Sequence, residues 1–108
     1  MTKYAVFFAF KGETVKNLMD KPSDRAAVVG RLCEAAGGRM ESYYLMFGEW
    51  DGFVIIEVPD RKAAAAISFA VSSSGAFSRV QTHELLEAAD LSAVLSTAAG
   101  LTYTPPGA

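Results

Sequence analysis

Residues 38–59 have the sequence GRMESYYLMFGEWDGFVIIEVP. Two runs rich in apolar and aromatic residues, 39–47 and 53–58, flank a turn with a glycine at each end, which is typical of two strands joined in a hairpin. A helical pattern precedes this hairpin and another follows it. The order predicts an α+β domain of the ferredoxin-like kind, βαββαβ, whose four-stranded antiparallel sheet carries both main helices on one face.

Caps and glycines place the other elements. Pro22-Ser23-Asp24 opens a run in which apolar residues recur at helical spacing, and Gly37-Gly38 ends it. Asp60 is placed to cap the next helix, which has a face of small residues. The predicted strands are 3–10, 39–47, 53–58 and 77–86; the predicted helices are 15–20, 22–36, 61–74 and an extra C-terminal one at 88–99, followed by a tail at 100–108. These elements fit a single domain spanning residues 1–108.

Charge and cysteine content argue against several classes of protein. The formal net charge is −2 and the 10 Lys and Arg residues are scattered, so we expect no nucleic acid as a partner. The single cysteine, Cys33, rules out an internal disulfide and favours a reducing compartment, the cytoplasm. No apolar run approaches the roughly 18 residues of a membrane span, and the N-terminal apolar run lacks a signal-peptide cleavage site. We therefore expect no membrane partner.

Residues suited to metal or cofactor chemistry are few. The chain has one histidine, His83, one cysteine and no close cluster of carboxylates, a composition that argues against a metal site. Glycine-rich phosphate loops and hydrolase or protease motifs are absent from the sequence. We therefore expect neither a metal nor a cofactor. Cys33 lies on the apolar side of its helix and is predicted to be a buried structural residue.

Both faces of the predicted sheet are partly apolar. In the first and third strands, both alternating sets of side chains are apolar. These sets are Tyr4, Val6, Phe8 and Phe10 against Ala5, Phe7 and Ala9, and Val54, Ile56 and Val58 against Phe53 and Ile55. Two helices cover only one face, and burial of one Phe or Ile contributes about 1.5–3 kcal/mol. We therefore expect a second copy of the chain to cover the other face, giving a dimeric α/β barrel or a higher homo-oligomer.

Two further observations bear on this prediction. Of the 108 residues, 51% are hydrophobic, and when the 9 Gly are counted in place of the 4 Tyr the share is about 56%, against roughly 45–50% in ordinary domains on that definition; burial between subunits would accommodate the excess. An alternative is that the last helix or the tail folds back over the open side of the sheet. The tail has two prolines and no periodicity, so it is either mobile or laid over a neighbouring surface.

The second and fourth strands are more polar than the other two. If their apolar sets face the helices, their polar sets share the helix-free face with Phe7, Phe53 and Ile55. The polar residues predicted there are Arg39, Glu41, Tyr43, Glu57, Arg79, Gln81 and His83. A partly apolar cavity with a few convergent polar groups is typical of a ligand site, so these residues are candidates to bind a small molecule. The assignment depends on register, since a slip of one residue reverses it.

A histidine, two tyrosines and two residues of the turn are further candidates for chemistry. His83 is the obvious general acid or base near neutral pH, although a strand histidine is more often structural. Tyr43 and Tyr44 point to opposite faces, so one is expected in the core and the other near a ligand. Trp50 and Asp51 lie in the turn, where they either line a pocket mouth or serve the turn and a subunit contact.

The sequence resembles the GYD domain family, small bacterial proteins of about this length. The turn GEWD followed by FVIIEVPD carries the resemblance, together with Lys3-Tyr4, the segment GETVKNL, the pair Gly37-Gly38 and the helix ending in Ser74-Gly75. Trp50 stands where the family more often has Tyr. The resemblance implies a ferredoxin-like fold that assembles as a dimeric α/β barrel, and it implies no activity.

Three functions are compatible with these features. The first is a homo-oligomer that binds a small, partly apolar molecule in a cavity on the sheet face. The second is an enzyme of the dimeric-barrel kind, similar to cofactor-free monooxygenases or isomerases, in which His83 or Tyr43 moves the proton. The third is a purely structural or interaction protein with a fully dry sheet face.

Overall fold

A computed structural model describes residues 1–107 of the chain. Four strands form one sheet in the order β2-β3-β1-β4, antiparallel throughout. The elements are β1 (Thr2–Phe10), α1 (Gly12–Asp20), α2 (Arg25–Ala35), β2 (Arg39–Leu45), β3 (Gly52–Val58), α3 (Arg61–Ser73), β4 (Phe77–Leu85) and α4 (Leu91–Ala99). The predicted ferredoxin-like α+β fold is confirmed, with α4 as the extra C-terminal helix.

The caps expected from the sequence are formed. The Asp24 carboxylate accepts a hydrogen bond from the Ala27 amide at 3.0 Å, and the Asp60 carboxylate accepts one from the Ala63 amide at 2.9 Å. Each aspartate thereby satisfies one of the amides that the first turn of a helix leaves without a partner. The short helical turn predicted at 15–20 is instead a helix of nine residues beginning at Gly12, and β2 ends at Leu45 rather than at residue 47.

The hydrophobic core lies between the sheet and the helices α2 and α3. Its buried members are Tyr4, Val6, Val54, Ile56 and Val58 from the strands and Cys33, Ala64 and Ile67 from the helices. Alternate residues of β1 and β3 therefore point to this side, as the period of two requires. Gly38 lies so close to β3 that a Cβ there would meet the carbonyl oxygen of Glu57, which explains why glycine ends the connection from α2.

The α1 segment is anchored to the connection between α3 and β4. The Thr14 hydroxyl donates a hydrogen bond of 2.6 Å to the carbonyl of Ala76, and the Lys11 amide donates to the same carbonyl at 3.0 Å. This double contact fixes α1 beside the end of the sheet at which β1 finishes and β4 begins. The helix has no buried residue, so these hydrogen bonds contribute much of what positions it.

Helix α4 extends away from the domain. A 3-10 turn, Ala88–Asp90, precedes it, and every residue from 81 to 107 is exposed. The radius of gyration is 17.3 Å, whereas a compact chain of this length has about 13 Å. The alternative that the last helix or the tail covers the open face of the sheet is therefore wrong for the single chain. No helix within residues 1–107 is long and apolar enough to cross a membrane.

Candidate functional site: the two faces of the sheet

The helix-free face has an aromatic centre. Phe7 is its hub: the Phe7 ring centroid lies 5.6 Å from that of Phe53, 5.9 Å from that of Trp50 and 5.9 Å from that of His83. Tyr44 extends the cluster by stacking on Phe53 at 5.6 Å. Phe7 and Phe53 face each other in the register of β1 and β3, so the cluster follows directly from strand pairing. The sequence predicted Phe7, Phe53 and Ile55 on this face, and their positions are confirmed.

Charged side chains border this aromatic cluster at both ends. At one end Lys3 contacts the carboxylates of Glu41 at 3.3 Å and Glu57 at 4.0 Å, and Glu57 also pairs with Arg39 at 3.4 Å. The predicted positions of Arg39, Glu41 and Glu57 on the helix-free face are confirmed. These charges are paired within one protomer, and Arg39 uses one of its five N–H donors in doing so.

Arg79 occupies the other end of the face. Its guanidinium carbon lies 4.4 Å above the Trp50 ring, a cation–π geometry, and the guanidinium also donates to the carboxylate of Glu49 at 3.2 Å and the carbonyl of Glu49 at 2.8 Å. These contacts hold the turn against β4. Arg79 thus positions Trp50 over Phe7 instead of pointing into an open cavity.

Gln81 and His83 lie on the helix-free side of β4, as predicted. Gln81 is opposite Phe7 and His83 is opposite Ala5 in the strand register. His83 Nε2 is 3.1 Å from the Gln81 side-chain oxygen, and within residues 1–107 no carboxylate lies within ion-pairing distance of the ring. The histidine is exposed and stacks edge-on against Phe7. The Gln81 side-chain oxygen is thus the group within residues 1–107 that can orient this ring in the single protomer.

Tyr43 is on the opposite side of the sheet from the one predicted. In the pairing of β2 with β3, Met40 is opposite Ile56 and Ser42 is opposite Ile55, so Glu41 is one extra residue in β2. This β-bulge shifts the alternation by one position. Tyr43 therefore faces the helices, opposite Val54, while Ser42 and Tyr44 take the helix-free face. Burial raises the pKa of the Tyr43 hydroxyl, and the nearby positive charge of Arg25 opposes that rise in part.

Asp51 bonds to the backbone. Its side chain accepts a hydrogen bond of 2.7 Å from the Phe10 amide, its own amide donates to the Phe8 carbonyl at 2.9 Å, and its carbonyl accepts from the Met46 amide at 2.9 Å. Three hydrogen bonds thus tie the turn to the end of β1. The geometry favours the turn role of Asp51 over a place in a pocket mouth, and the same turn carries Trp50.

Cys33 is fully buried in α2 and is a free thiol. Burial raises the pKa of this thiol, and the neighbouring Glu34 carboxylate adds to the rise. A thiol held in its protonated form is a poor nucleophile, so the predicted structural role is supported. No group of three or more His, Cys, Asp or Glu side chains in residues 1–107 has a geometry that could hold a metal ion.

A cavity that the sequence did not predict lies on the helix side of the sheet. Its volume is about 260 Å³, and it opens between α2 and α3 over strands β1, β2 and β3. Apolar side chains make almost all of its wall, while Arg25, Tyr43 and Ser74 are the polar residues that border it. A second cavity of about 380 Å³ adjoins it toward α1 and shares Arg25, Ser74 and Phe77 with it. The small residues of α3 are the only signal for this space in the sequence.

Residues 4–95 match the profile of the GYD domain. The chain belongs to the GYD domain family. The match covers all four strands, the helices α1 to α3 and part of α4. The resemblance drawn from the turn and the flanking segments is thereby confirmed. No curated protein matches this GYD protein.

Solved structures with the same fold are distant in sequence. The crystal structure of FFRP-DM1 has 14% identity and a TM-score of 0.53, over 80% of this chain and 100% of that one. The structure of TTHA0845 from Thermus thermophilus has 15% identity and a TM-score of 0.52, over 82% and 96%. That of At3g17210 from Arabidopsis thaliana has 11% identity and a TM-score of 0.53, over 81% and 95%. At such identities the similarity shows the fold alone.

Proposed function

We propose that this GYD protein is a homo-oligomeric module that binds a small, partly apolar molecule, and that its copies associate through their helix-free faces. The observation that carries the association is the aromatic cluster of Phe7, Trp50, Phe53 and Tyr44, which no helix of the chain covers. Charged residues rim the cluster at both ends. An apolar centre with a charged rim is the usual anatomy of a protein–protein interface.

The size of the face supports the participation of α4. Four strands about 4.8 Å apart and seven to nine residues long cover an area of about 20 by 25 Å, or roughly 500 Å² in projection. Stable interfaces bury about 800 Å² on each partner. Exposed apolar residues of α4 and the tail offer the additional surface: Leu91, Val94, Leu95, Leu101 and Tyr103. A second copy would cover both surfaces at once.

The geometry favours binding over catalysis. The two alternative catalytic residues, His83 and Tyr43, lie on opposite faces of the sheet, so a substrate in one protomer would have only one of them as its acid or base. The charged residues of the helix-free face pair with each other, which suits a rim better than a reaction site. A cytoplasmic location remains a prediction from the cysteine content.

The test of the association is the mass of the native assembly. Native mass spectrometry at micromolar concentration is expected to give a dimer or a higher oligomer for the wild type and to report any small molecule that it retains. Phe53→Glu places a charge at the centre of the aromatic cluster and is expected to give monomers that keep the wild-type circular dichroism spectrum.

The matched control is Phe69→Glu. Phe69 lies on α3, away from the helix-free face, and is 76% exposed, so the same substitution there leaves the assembly intact if the proposal holds. A wild-type protein that is monomeric at micromolar concentration overturns the association. Equal dissociation by both variants overturns the assignment of the interface to the sheet face.

A further inference from the structure

The cavity between α2, α3 and the sheet is a half-open space of about 260 Å³. The facing elements of a domain normally pack against each other without leaving room of this kind between them. Its floor is formed by Val6, Phe8, Val54 and Ile56, and its walls by Val28, Val29 and Leu32 from α2 and Ile67, Ala70 and Val71 from α3. A half-open apolar cavity of this size is suited to the apolar part of a small molecule.

The mouth of the cavity is positively charged. Arg25 borders both this cavity and the adjoining one, and Lys21 borders the adjoining one. Neither cation forms an ion pair within residues 1–107, and no carboxylate lines either cavity. The carboxylate beside Arg25 in the sequence, Asp24, accepts a hydrogen bond from the backbone of its own helix instead. Because the cavities are lined by cations and by no carboxylate, their local potential favours an anion.

One hydroxyl group can donate a hydrogen bond beside Arg25. Tyr43 lines the same cavity as Arg25 and is a donor at neutral pH, because an ordinary tyrosine has a pKa of about 10 and burial raises the pKa of this hydroxyl further. Ser74 borders both cavities, but its hydroxyl donates to the Val71 carbonyl at 2.7 Å and accepts from the Ala76 amide at 3.2 Å, so it has no proton left for a carboxylate. The cavity thus offers a guanidinium and a phenol that match a carboxylate, and the Lys21 ammonium adds positive charge in the adjoining cavity.

We infer that this cavity binds a small organic acid, with its apolar body between α2 and α3 and its carboxylate at Arg25 and Tyr43. The volume is slightly below the roughly 300–1,000 Å³ of sites for drug-sized ligands, so the ligand is a short-chain or single-ring acid. The inference rests on the binding part of the proposed function and not on the association, because the cavity lies within one protomer on the other side of the sheet.

The test compares two probes of the same shape and different charge. Octanoate and octanamide have the same number of heavy atoms, and only octanoate is an anion. Titration of the isotope-labelled protein followed by NMR is expected to shift amides of α2 and α3, and octanoate is expected to bind at least tenfold more tightly than octanamide. Arg25→Gln is expected to remove that preference by weakening octanoate about tenfold while leaving octanamide unchanged.

Two further variants serve as controls. Arg31→Gln removes an exposed arginine of the same helix that lines neither cavity, and octanoate affinity is expected to remain at the wild-type value. Ala70→Phe fills the space from α3 and is expected to abolish binding of both probes. Octanoate that binds the wild type and Arg25→Gln equally well overturns the inference, as does an absence of shifts in α2 and α3 at millimolar probe.

The outcomes separate this inference from the proposed function. Native mass spectrometry of the same samples reports the assembly, so lost probe binding in an intact oligomer bears on the cavity alone. Shifts confined to the helix-free face would overturn this location and leave small-molecule binding standing. If Arg25→Gln and the wild type both retain a molecule from cells, this location is likewise overturned and small-molecule binding again stands.

Discussion

The two faces of the sheet are made by alternate residues of the same strands, yet only one of the two faces is covered by helices of the same chain. On the helix side, Ile56 and Val58 are 1% and 0% exposed beneath α2 and α3. On the other side, the neighbouring Ile55 and Phe53 are only half-buried and are covered by side chains of the sheet itself. Alternation along a strand decides which residues share a face of the sheet, whereas the number of helices packed on that face decides whether its apolar side chains are buried.

The largest expected effect comes from a pair of adjacent isoleucines. Ile56→Ala removes a side chain that is 1% exposed and is expected to lower the free energy of unfolding by about 2–5 kcal/mol at any protein concentration. Ile55→Ala, on the helix-free face, is expected to cost less than about 1 kcal/mol in dilute protein and more as the concentration rises, because its contacts form on association. Urea unfolding at several concentrations measures both. Equal, concentration-independent losses would mean that the two faces do not differ as described.

The turn that places Trp50 over the helix-free face depends on Asp51. Asp51→Asn removes the charge of the group that accepts from the Phe10 amide at 2.7 Å and is expected to cost about 1–3 kcal/mol of unfolding free energy. Glu49→Gln in the same turn is the control, since its carboxylate is 70% exposed and such a surface pair contributes about 0–1 kcal/mol. Denaturant unfolding gives both values. If Glu49→Gln lowers the free energy of unfolding as much as Asp51→Asn does, the ion pair between Glu49 and Arg79 contributes to the turn as strongly as Asp51.

The bulge in β2 can be checked through the pH dependence of stability. The folded pKa of Tyr43 is raised by burial, so the folded state holds this proton more tightly than the unfolded state does. Its contribution is therefore fully present below the ordinary tyrosine pKa of about 10 and is lost as pH rises through the folded pKa. Tyr43→Phe is expected to unfold with a shallower alkaline decline in stability than the wild type. If the alkaline decline in stability is unchanged in Tyr43→Phe, the Tyr43 hydroxyl is exposed to water and the bulge does not turn it toward the helices.

The smallest expected effect tests whether every buried polar group on the helix side of the sheet has a hydrogen-bond partner. The Tyr4 hydroxyl is buried there and has no hydrogen-bond partner in residues 1–107. An unsatisfied buried polar group costs about 1–3 kcal/mol, so Tyr4→Phe is expected to keep the wild-type stability or to raise it by about 1 kcal/mol. The midpoint of thermal unfolding measures the change. A clear loss of stability would show that the hydroxyl has a partner in the native assembly.

Most of the fold could be predicted from the sequence because local signals agree with the tertiary structure. Asp24 and Asp60 cap the helices they were expected to cap, and glycines mark the ends of elements. The strands β1 and β3 are apolar on both sides, so either register assigns apolar residues to the helix-free face. The open face followed from this property without any knowledge of the pairing.

The candidate site was predicted only in part. Arg39, Arg79, Gln81 and His83 lie on the expected face because their strands alternate regularly there. The placement of Tyr43 failed because Glu41 is an extra residue in β2, and that strand contains no glycine of the kind that marks some bulges in a sequence. The role of Asp51 was open because a backbone amide 41 positions away is invisible to local reasoning.

The order of the elements, their caps and the apolar character of both sides of β1 and β3 can be predicted from the chain, because they depend on residues that are close in sequence. The side on which Tyr43 lies, the extension of α4 away from the domain and the cavity bordered by Arg25 arise only in the folded protein. Each of these depends on how separate elements meet in space: a bulge against β3, a helix without a partner in its own chain, and a gap between two helices. The spacing of residues within a single element does not predict such contacts between elements.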